Sequence, residues 1–413
     1  MSESALHSDK AHFAFYKNQY SSSEKVLLFC GRWVERASYL ASKKDMEPDR
    51  FVCLCALSKV FAYKCAIGRQ LMETFGGPEG VFRTPPHTLA TVLHNGELYL
   101  DLLFEPSLLE WAADEVAWAR SYGIRLLGLD DPAYPRRLAA CADAPLLLYC
   151  KGEADLNSSR ALAVVGTRKA TWTGRESCRR IVGRLADLNE KPLIVSGMAL
   201  GIDGCAHAAA IEAGLPTIGV LPCGLDEIYP RQHRELARRA LEKGALVTDF
   251  PRGTQPIAYT FLRRNRIIAG LADATLLVES YQKGGGLITA SLAASYEREV
   301  FAVAGRMTDG SFSGCNELIA RREATLVSDA DTIPLTMGWI SARQRRGAVP
   351  LLRPDDPPER CQVLRCLEAR APLSVEEVAA LTKLDPRAVN LLLLELEMEG
   401  RVVADGNKFF VTL

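Results

Sequence analysis

Residues 161–214 read ALAVVGTRKATWTGRESCRRIVGRLADLNEKPLIVSGMALGIDGCAHAAAIEAG. A wholly apolar run, LAVVG, leads into the amphipathic GRESCRRIVGRLADLN. A second run, PLIVSG, leads into IDGCAHAAAIEAG. The alternation continues to about residue 330: PTIGVLPCG then RQHRELARRALEKG, ALVTDF then FLRRNRIIAGLA, ATLLVES then GGLITASLAASYE, EVFAVAG then SGCNELIARR, and a last run, ATLVSD. Strands without a polar face need cover on both sides, and intervening helices supply it. The pattern predicts a doubly wound α/β domain with a parallel sheet over residues 126–335.

The flanks have a different rhythm. Residues 50–125 show apolar residues at helical spacing through FVCLCALSKVFAYKCAIGRQLMETFGG, with Gly76-Gly77-Pro78 as a stop. Residues 1–49 are an extension without a readable pattern. A linker containing Pro and Arg, GAVPLLRPDDPP, falls within 336–357. The tail, 358–413, has the helix ERCQVLRCLEAR, a capping box Ser374-Val-Glu-Glu377, a third helix entered through Asp385-Pro386, and a hairpin turning at Asp405-Gly406-Asn407. Three helices and a hairpin suggest a winged helix.

Lys+Arg and Asp+Glu balance at 50 each, so a polyanionic partner would need a local patch. The twelve cysteines are scattered, with no C-x-x-C pair and no His cluster, which argues against a zinc site and suits a reducing cytoplasm. The N-terminus lacks a signal-peptide layout, and no apolar run is long enough to span a bilayer. The expectation is a cytoplasmic protein with no membrane segment and no cofactor.

In a doubly wound sheet, ligands bind beyond the carboxyl ends of the strands. The loops there carry Gly166-Thr167-Arg168, Ser196-Gly197, PCGLDEIYP, the segment with Phe261, Arg263, Arg264, Asn265 and Arg266, and Gly284-Gly285-Gly286. Glycines admit a close ligand, helix N-termini offer N–H groups to anions, and arginines add charge, so phosphate is the natural partner. Gly166-Thr-Arg is not a dinucleotide fingerprint, and a strand-end glycine also serves a plain turn. The arginines at 263, 264 and 266 cannot all face one way on a helix. Asp203 and His207 share a helix face. With no nucleophile completing a catalytic set, they read as structural support in which His207 bonds Asp203 and both brace the neighbouring loop.

The ordered segments Gly166-Thr-Arg168, SGMALGIDGCAH, GLDEIYPRQHREL, FLRRNRIIAGLADATLLVES, GGGLITASLA and EVFAVAG with SGCNELI closely resemble the DNA-processing protein A (DprA, or Smf) family. The lead-in DPAYPRRLAACADAPLLLYCKG is similar as well. The resemblance implies a SAM-like or helix-hairpin-helix module, a Rossmann-like domain and a winged helix. It also implies a non-catalytic homodimer that binds single-stranded DNA and loads the RecA recombinase during natural transformation. By matching positions, the phosphate grip falls to Gly166, Thr167, Arg168, Ser196, Gly197, Arg264, Asn265, Arg266 and Gly284–Gly286, with Phe261 facing a base and Arg263 adding charge. Departures are Thr167 for Ser, Leu200 for Arg, His233 for Asn and Leu262 for Pro, and the helical module lacks a clear Gly-x-Gly hairpin. The rival is a nucleotide hydrolase of the lysine-decarboxylase-like family, which places a Glu after the Thr of its glycine segment; this chain has none there. A transcription regulator is a third reading, countered by Glu395, Glu397 and Glu399 on the third helix of the tail, which phosphates would repel.

Overall fold

Each apolar run becomes a strand in the computed structural model, which describes residues 49–341 except 63 and 94–96, together with 352 and 356–411. The N-terminal extension and much of the expected linker lie outside the described residues. The chain divides into two compact units between Ala342 and Arg343.

The first unit contains β1 (Arg125–Gly128), β2 (Leu147–Gly152), β3 (Ala161–Val165), β4 (Leu193–Ser196), β5 (Thr217–Val220), β6 (Ala245–Thr248), β7 (Ala274–Leu277), β8 (Glu299–Val303) and β9 (Thr325–Val327). They form one sheet in the order β1-β2-β6-β5-β4-β3-β7-β8-β9. From β6 to β9 all pairings are parallel. The chain moves outward from β3 to β6, then returns to lay β7 on the other side of β3. That reversal opens a crevice at the carboxyl ends of β3 and β7, where ligands of this fold class bind.

Side-chain alternation sets the two faces. Ala163, Val165, Val195 and Val220 pack on one side with Ile267, Ile268 and Leu271 of α11 (Ala258–Leu271). Leu162, Val164 and Ile194 pack on the other with Cys178 and Val182 of α8 (Trp172–Leu185) and Ala206 and Ala210 of α9 (Ile202–Glu212). Both faces of every central strand are therefore apolar, as the sequence pattern requires. The antiparallel pair β1–β2, which joins the sheet through β6, has no such signature; RLLG is short, and its Leu126 packs with the helical module while Leu127 packs in the sheet core.

Residues 50–122 form α1 (Arg50–Val60), α2 (Cys65–Phe75), α3 (Pro78–Arg83), α4 (Pro86–Val92), α5 (Glu97–Leu103) and α6 (Ser107–Ser121). The periodicity that suggests a single helix through Gly77 is interrupted at 61–64, where Lys64 leaves helical geometry (φ −135°, ψ 48°). The helical core extends onto Leu146, Leu147 and Tyr149, so this module packs on the sheet edge. A short helix, α7 (Arg136–Ala139), lies between β1 and β2. The remaining helices of the unit are α10 (Arg234–Ala240), α12 (Gly285–Ser295), α13 (Ser313–Ala320) and α14 (Thr332–Thr336).

The second unit has α15 (Pro358–Arg370), β10 (Leu373–Ser374), α16 (Val375–Thr382), α17 (Pro386–Met398), β11 (Val402–Asp405) and β12 (Lys408–Val411). The Ser374–Glu377 capping box forms, Asp385 caps α17 with Pro386 in its first turn, and the hairpin pairs Asp405 with Lys408. Glu395 of α17 and Glu399, which caps its C-terminus, pair with Arg360 at 2.6 and 2.8 Å.

Phe301 of β8 is fully buried in the α8/α9 face of the core. Phe301→Ala is expected to destabilise the first unit by about 3–5 kcal/mol, read as a lower urea midpoint; an unchanged midpoint would mean this face tolerates the cavity.

Candidate functional site

The turn after β3 is the hub. Thr167 donates its N–H to the Glu279 carbonyl beyond β7 (2.8 Å), and its own carbonyl accepts the N–H of Ile202 at the start of α9 (3.1 Å). Gly201 (φ +82°) allows this approach, because a Cβ there would strike the Thr167 and Arg168 backbone. Gly286, in the first turn of α12, packs on Gly166: a Cβ at 286 would lie 3.3 Å from the Gly166 Cα. Thr167 Oγ1 accepts the N–H of Lys169 (3.2 Å). Arg168 is exposed and places its guanidinium 4.6 Å from the Phe261 ring centroid, within cation–π range. Phe261 also meets Tyr229 edge-on, with centroids 5.5 Å apart. The ring is thus part of a cluster with Arg168 at its surface.

Helix starts around this hub differ in charge. At α8, the Glu279 carboxylate is fully buried and accepts from Thr171 N and Oγ1 (2.9 and 3.1 Å). At α9, Asp203 occupies the first turn and accepts from Gly197 N (3.1 Å). Of the three, α12 has neither a carboxylate in its first turn nor, among the described residues, one bonded at its start. It begins at Gly284–Gly286, with Gly285 exposed and Lys283 exposed beside it. Its free N–H groups and positive dipole end suit an anion.

Several residues that the sequence suggests for the phosphate grip face inward instead. Ser196 is buried and donates Oγ–H to the Val164 carbonyl (2.6 Å). Arg264 is buried and donates to the carbonyls of Gly197 and Val220. Burial lowers its pKa to about 10, partly opposed by the charge of Asp203. Gly197 is required here, since a Cβ would collide with the Arg264 guanidinium. Arg263 and Arg266 converge on the buried Asp249, at 2.7 and 2.6 Å. Burial pushes the Asp249 carboxyl up, but these two guanidinium groups outweigh it and hold the group below the usual carboxylate range. Arg266 also donates to the Asp143 carbonyl, and Asn265 is buried. The arginine cluster is therefore spent on holding the sheet edge. Helical spacing shows that the three cannot share a direction, but not that Asp249 waits at the end of β6.

Asp203 and His207 do not bond to each other, contrary to the sequence expectation. Each holds the Ser196–Met198 loop separately. The His207 Nε2 accepts the Met198 N–H (3.3 Å), and its Nδ1 bonds Thr217 Oγ1 (2.7 Å), whose hydroxyl donates to the Ile194 carbonyl (2.9 Å). This fixes a neutral ring protonated on Nδ1. Burial, with the charges of His233 and Arg264, lowers the His207 pKa to about 3. Met198 sits in the left-handed region (φ 55°), a conformation costing about 1–2 kcal/mol for a residue with a side chain. His207 holds its N–H, and His233 Nδ1 donates to its carbonyl (2.8 Å). His233, Lys169 and Tyr229 belong to this neighbourhood and were not candidates in the sequence; adjacency to Arg168 was the available signal for Lys169.

The family model described as DNA recombination-mediator protein A matches residues 125–337, and one described as DprA winged helix domain matches residues 348–407. Protein Smf of Escherichia coli is 40% identical over 219 residues, covering 53% of this chain and 58% of that protein. The DNA processing protein DprA of Streptococcus pneumoniae is 36% identical over 203 residues, covering 49% of this chain and 71% of its own length. The X-ray structure of DNA processing protein A from Streptococcus pneumoniae aligns with 29% identity and a TM-score of 0.49, over 64% of this chain and 95% of that one.

The folded His207 binds a proton only near pH 3, whereas an unfolded His does so near 6.5. Between these values the unfolded state holds more protons, so stability falls as pH drops below about 6.5. In His207→Gln, whose amide can still donate to Thr217 and accept from Met198, the dependence of unfolding free energy on pH between 6.5 and 4 should be shallower by up to about 1.4 kcal/mol per pH unit. Equal slopes in variant and parent would show that His207 is not held neutral.

Proposed function

Because the chain belongs to the DNA-processing protein A (DprA/Smf) family, we propose that its Rossmann-like unit binds single-stranded DNA at the turn after β3 and carries out no turnover. The carrying observation is the placement of Arg168. It is an exposed cation, free of any ion pair among the described residues, against the Phe261 ring and beside two turns rich in glycine. A phosphate meets Arg168, the Gly166–Thr167 backbone and the α12 N-terminus. A base meets the aromatic cluster, taking the place of the Arg168 guanidinium on Phe261 or extending along the ring. Duplex bases are already stacked on one another, so such a site favours single strands with weak sequence preference.

Within this reading Arg263, Arg264, Asn265, Arg266, Ser196 and Gly197 set the shape of the site without touching phosphate. Glu279, whose backbone carbonyl holds the turn, is fully buried with its Oε2 bracing Thr171, which supports binding over hydrolysis. The family resemblance supports a cytoplasmic homodimer that loads RecA onto the strand during natural transformation. In the second unit, Leu391, Leu394 and Met398 of α17 are exposed apolar residues, while the carboxylates Glu395 and Glu399 are paired with Arg360. That helix suits contact with protein more than with phosphate.

The test is fluorescence titration with labelled single-stranded and duplex DNA across salt concentrations. Arg168→Ala should weaken single-strand binding and flatten the log–log salt slope by about 0.7. Phe261→Leu keeps apolar bulk and removes the π face; it should lose about 1–3 kcal/mol of affinity per stacked base with little change in slope. Parent-like affinity and slope in folded Arg168→Ala would remove the turn from the DNA site.

A further inference from the structure

Arg168 also lines a cavity of about 340 Å³ between α8 and α9, a volume within the usual range for small-ligand sites. The cavity is strongly basic. Arg168, Lys169, Arg175, Arg179 and His233 line it, against one lining carboxylate, Glu212. These residues come from the turn after β3, from two successive turns of α8, and from the loop before α10. Arg175 is oriented by donating to the Ala170 carbonyl (2.6 Å). Among the described residues the one ion pair of Arg179 is a long contact with Glu176, at 3.8 Å, and half of its side chain is exposed. Lys169 makes no ion pair among the described residues. His233 commits Nδ1 to the Met198 carbonyl, leaving Nε2 as its remaining polar atom.

The opposite wall is bare backbone and small side chains. Gly201, Gly204, Cys205 and Ala208 form it. A Cβ at 204 would lie 2.5 Å from the His233 Cε1, so glycine there makes room for the ring. No Phe, Tyr or Trp lines the cavity. A nucleobase would find nothing to stack on, whereas a phosphate would meet fixed donors. The stacking ring, Phe261, lies outside the cavity, and Arg168 belongs to both places.

We propose that this cavity holds a second phosphate of the bound strand, so that Arg168 joins an aromatic site for a base to a basic cavity for the backbone. The proposal rests on the single-strand reading above and extends its footprint onto α8 and α9. It predicts that affinity and salt dependence grow with strand length until the cavity is filled.

Cys205 reports occupancy. Its half-buried thiol donates to the Arg175 carbonyl (3.4 Å). The hydrogen bond from Cys178, partly opposed by burial and aided by Arg179 and Arg175, holds that thiol below its ordinary pKa, which favours alkylation.

The experiment compares the parent, Arg168→Ala and the double variant Lys169→Gln/Arg179→Gln, whose replaced side chains are exposed and bear little packing. Each is titrated with oligothymidylates of increasing length across salt concentrations, and Cys205 alkylation by iodoacetamide is followed by peptide mass, with Cys205→Ser as the control. For long strands the double variant should show a salt slope flatter by up to about 0.7, the contribution of the one cavity phosphate, and a parent-like slope for the shortest strands that bind. Long strands should slow Cys205 alkylation in the parent. If Arg168→Ala weakens binding while the double variant matches the parent at every length, the single-strand reading stands and the cavity assignment falls. If neither variant changes binding, both fall. If inorganic phosphate alone protects Cys205 as well as a long strand does, the cavity belongs to a free anion and the strand assignment is overturned.

Discussion

A buried guanidinium clamps the carboxyl ends of two strands. Arg264 donates to the Gly197 carbonyl just past β4 and to the Val220 carbonyl that ends β5. Loops diverge from a parallel sheet at these points, and their carbonyls would otherwise be buried without donors, at a cost of about 1–3 kcal/mol each. Taking a guanidinium out of water costs several kcal/mol, offset here by charged hydrogen bonds and by the nearby Asp203 carboxylate. The clamp fixes Gly197, Asp203 fixes its N–H, and Met198 can then be held in its left-handed conformation between His207 and His233. The wall of the basic cavity follows, since His233 is both a Met198 partner and a cavity residue.

Charge is sorted by depth across this edge of the sheet. Asp249 gathers Arg263 and Arg266, and the Asp203 charge acts on Arg264, so two carboxylates offset most of the charge of the three inner arginines within the protein. Arg168 and Lys169 on the turn, Lys283 before α12, and Arg175 and Arg179 on α8 are left near solvent. A chain with 50 basic and 50 acidic residues thereby keeps a locally basic edge. Inner pairs give the geometry, and outer cations give the attraction. This division also explains why long-range attraction and site rigidity can be altered by different substitutions.

The helical module and the sheet share one unit because their contacts are continuous. Arg252 bonds Glu115 of α6 through both its backbone N–H (2.8 Å) and its guanidinium (3.0 Å), and Arg69 donates to the Ala139 and Cys141 carbonyls. Burial raises the Glu115 carboxyl above its ordinary pKa, with the Arg252 contacts opposing it. Arg252 precedes the segment that leads into α11, so the module braces the same edge of the sheet that carries Phe261.

Periodicity alone determined the central sheet. Runs such as LAVV and VFAV are apolar at every position, which suits a strand covered on both faces, and the helix between each pair enforces parallel order. The winged-helix caps at Ser374 and Asp385 were equally legible, because a cap is a contact between near neighbours in the chain. The glycine turns at 166 and 284–286 could be located at strand and helix ends for the same reason. Tertiary structure decided what the polar residues do. Asp249 lies at the end of β6 and Arg266 in α11; that their side chains meet depends on strand order, which spacing does not encode. His207 turns from Asp203 to Thr217 because β5 brings a hydroxyl within 2.7 Å. Arg175 and Arg179 face Gly204 and Ala208 only because α8 packs on α9. Apolar patterning is a local property of a chain, whereas the partner of a charge is settled by which distant elements the packed core brings together.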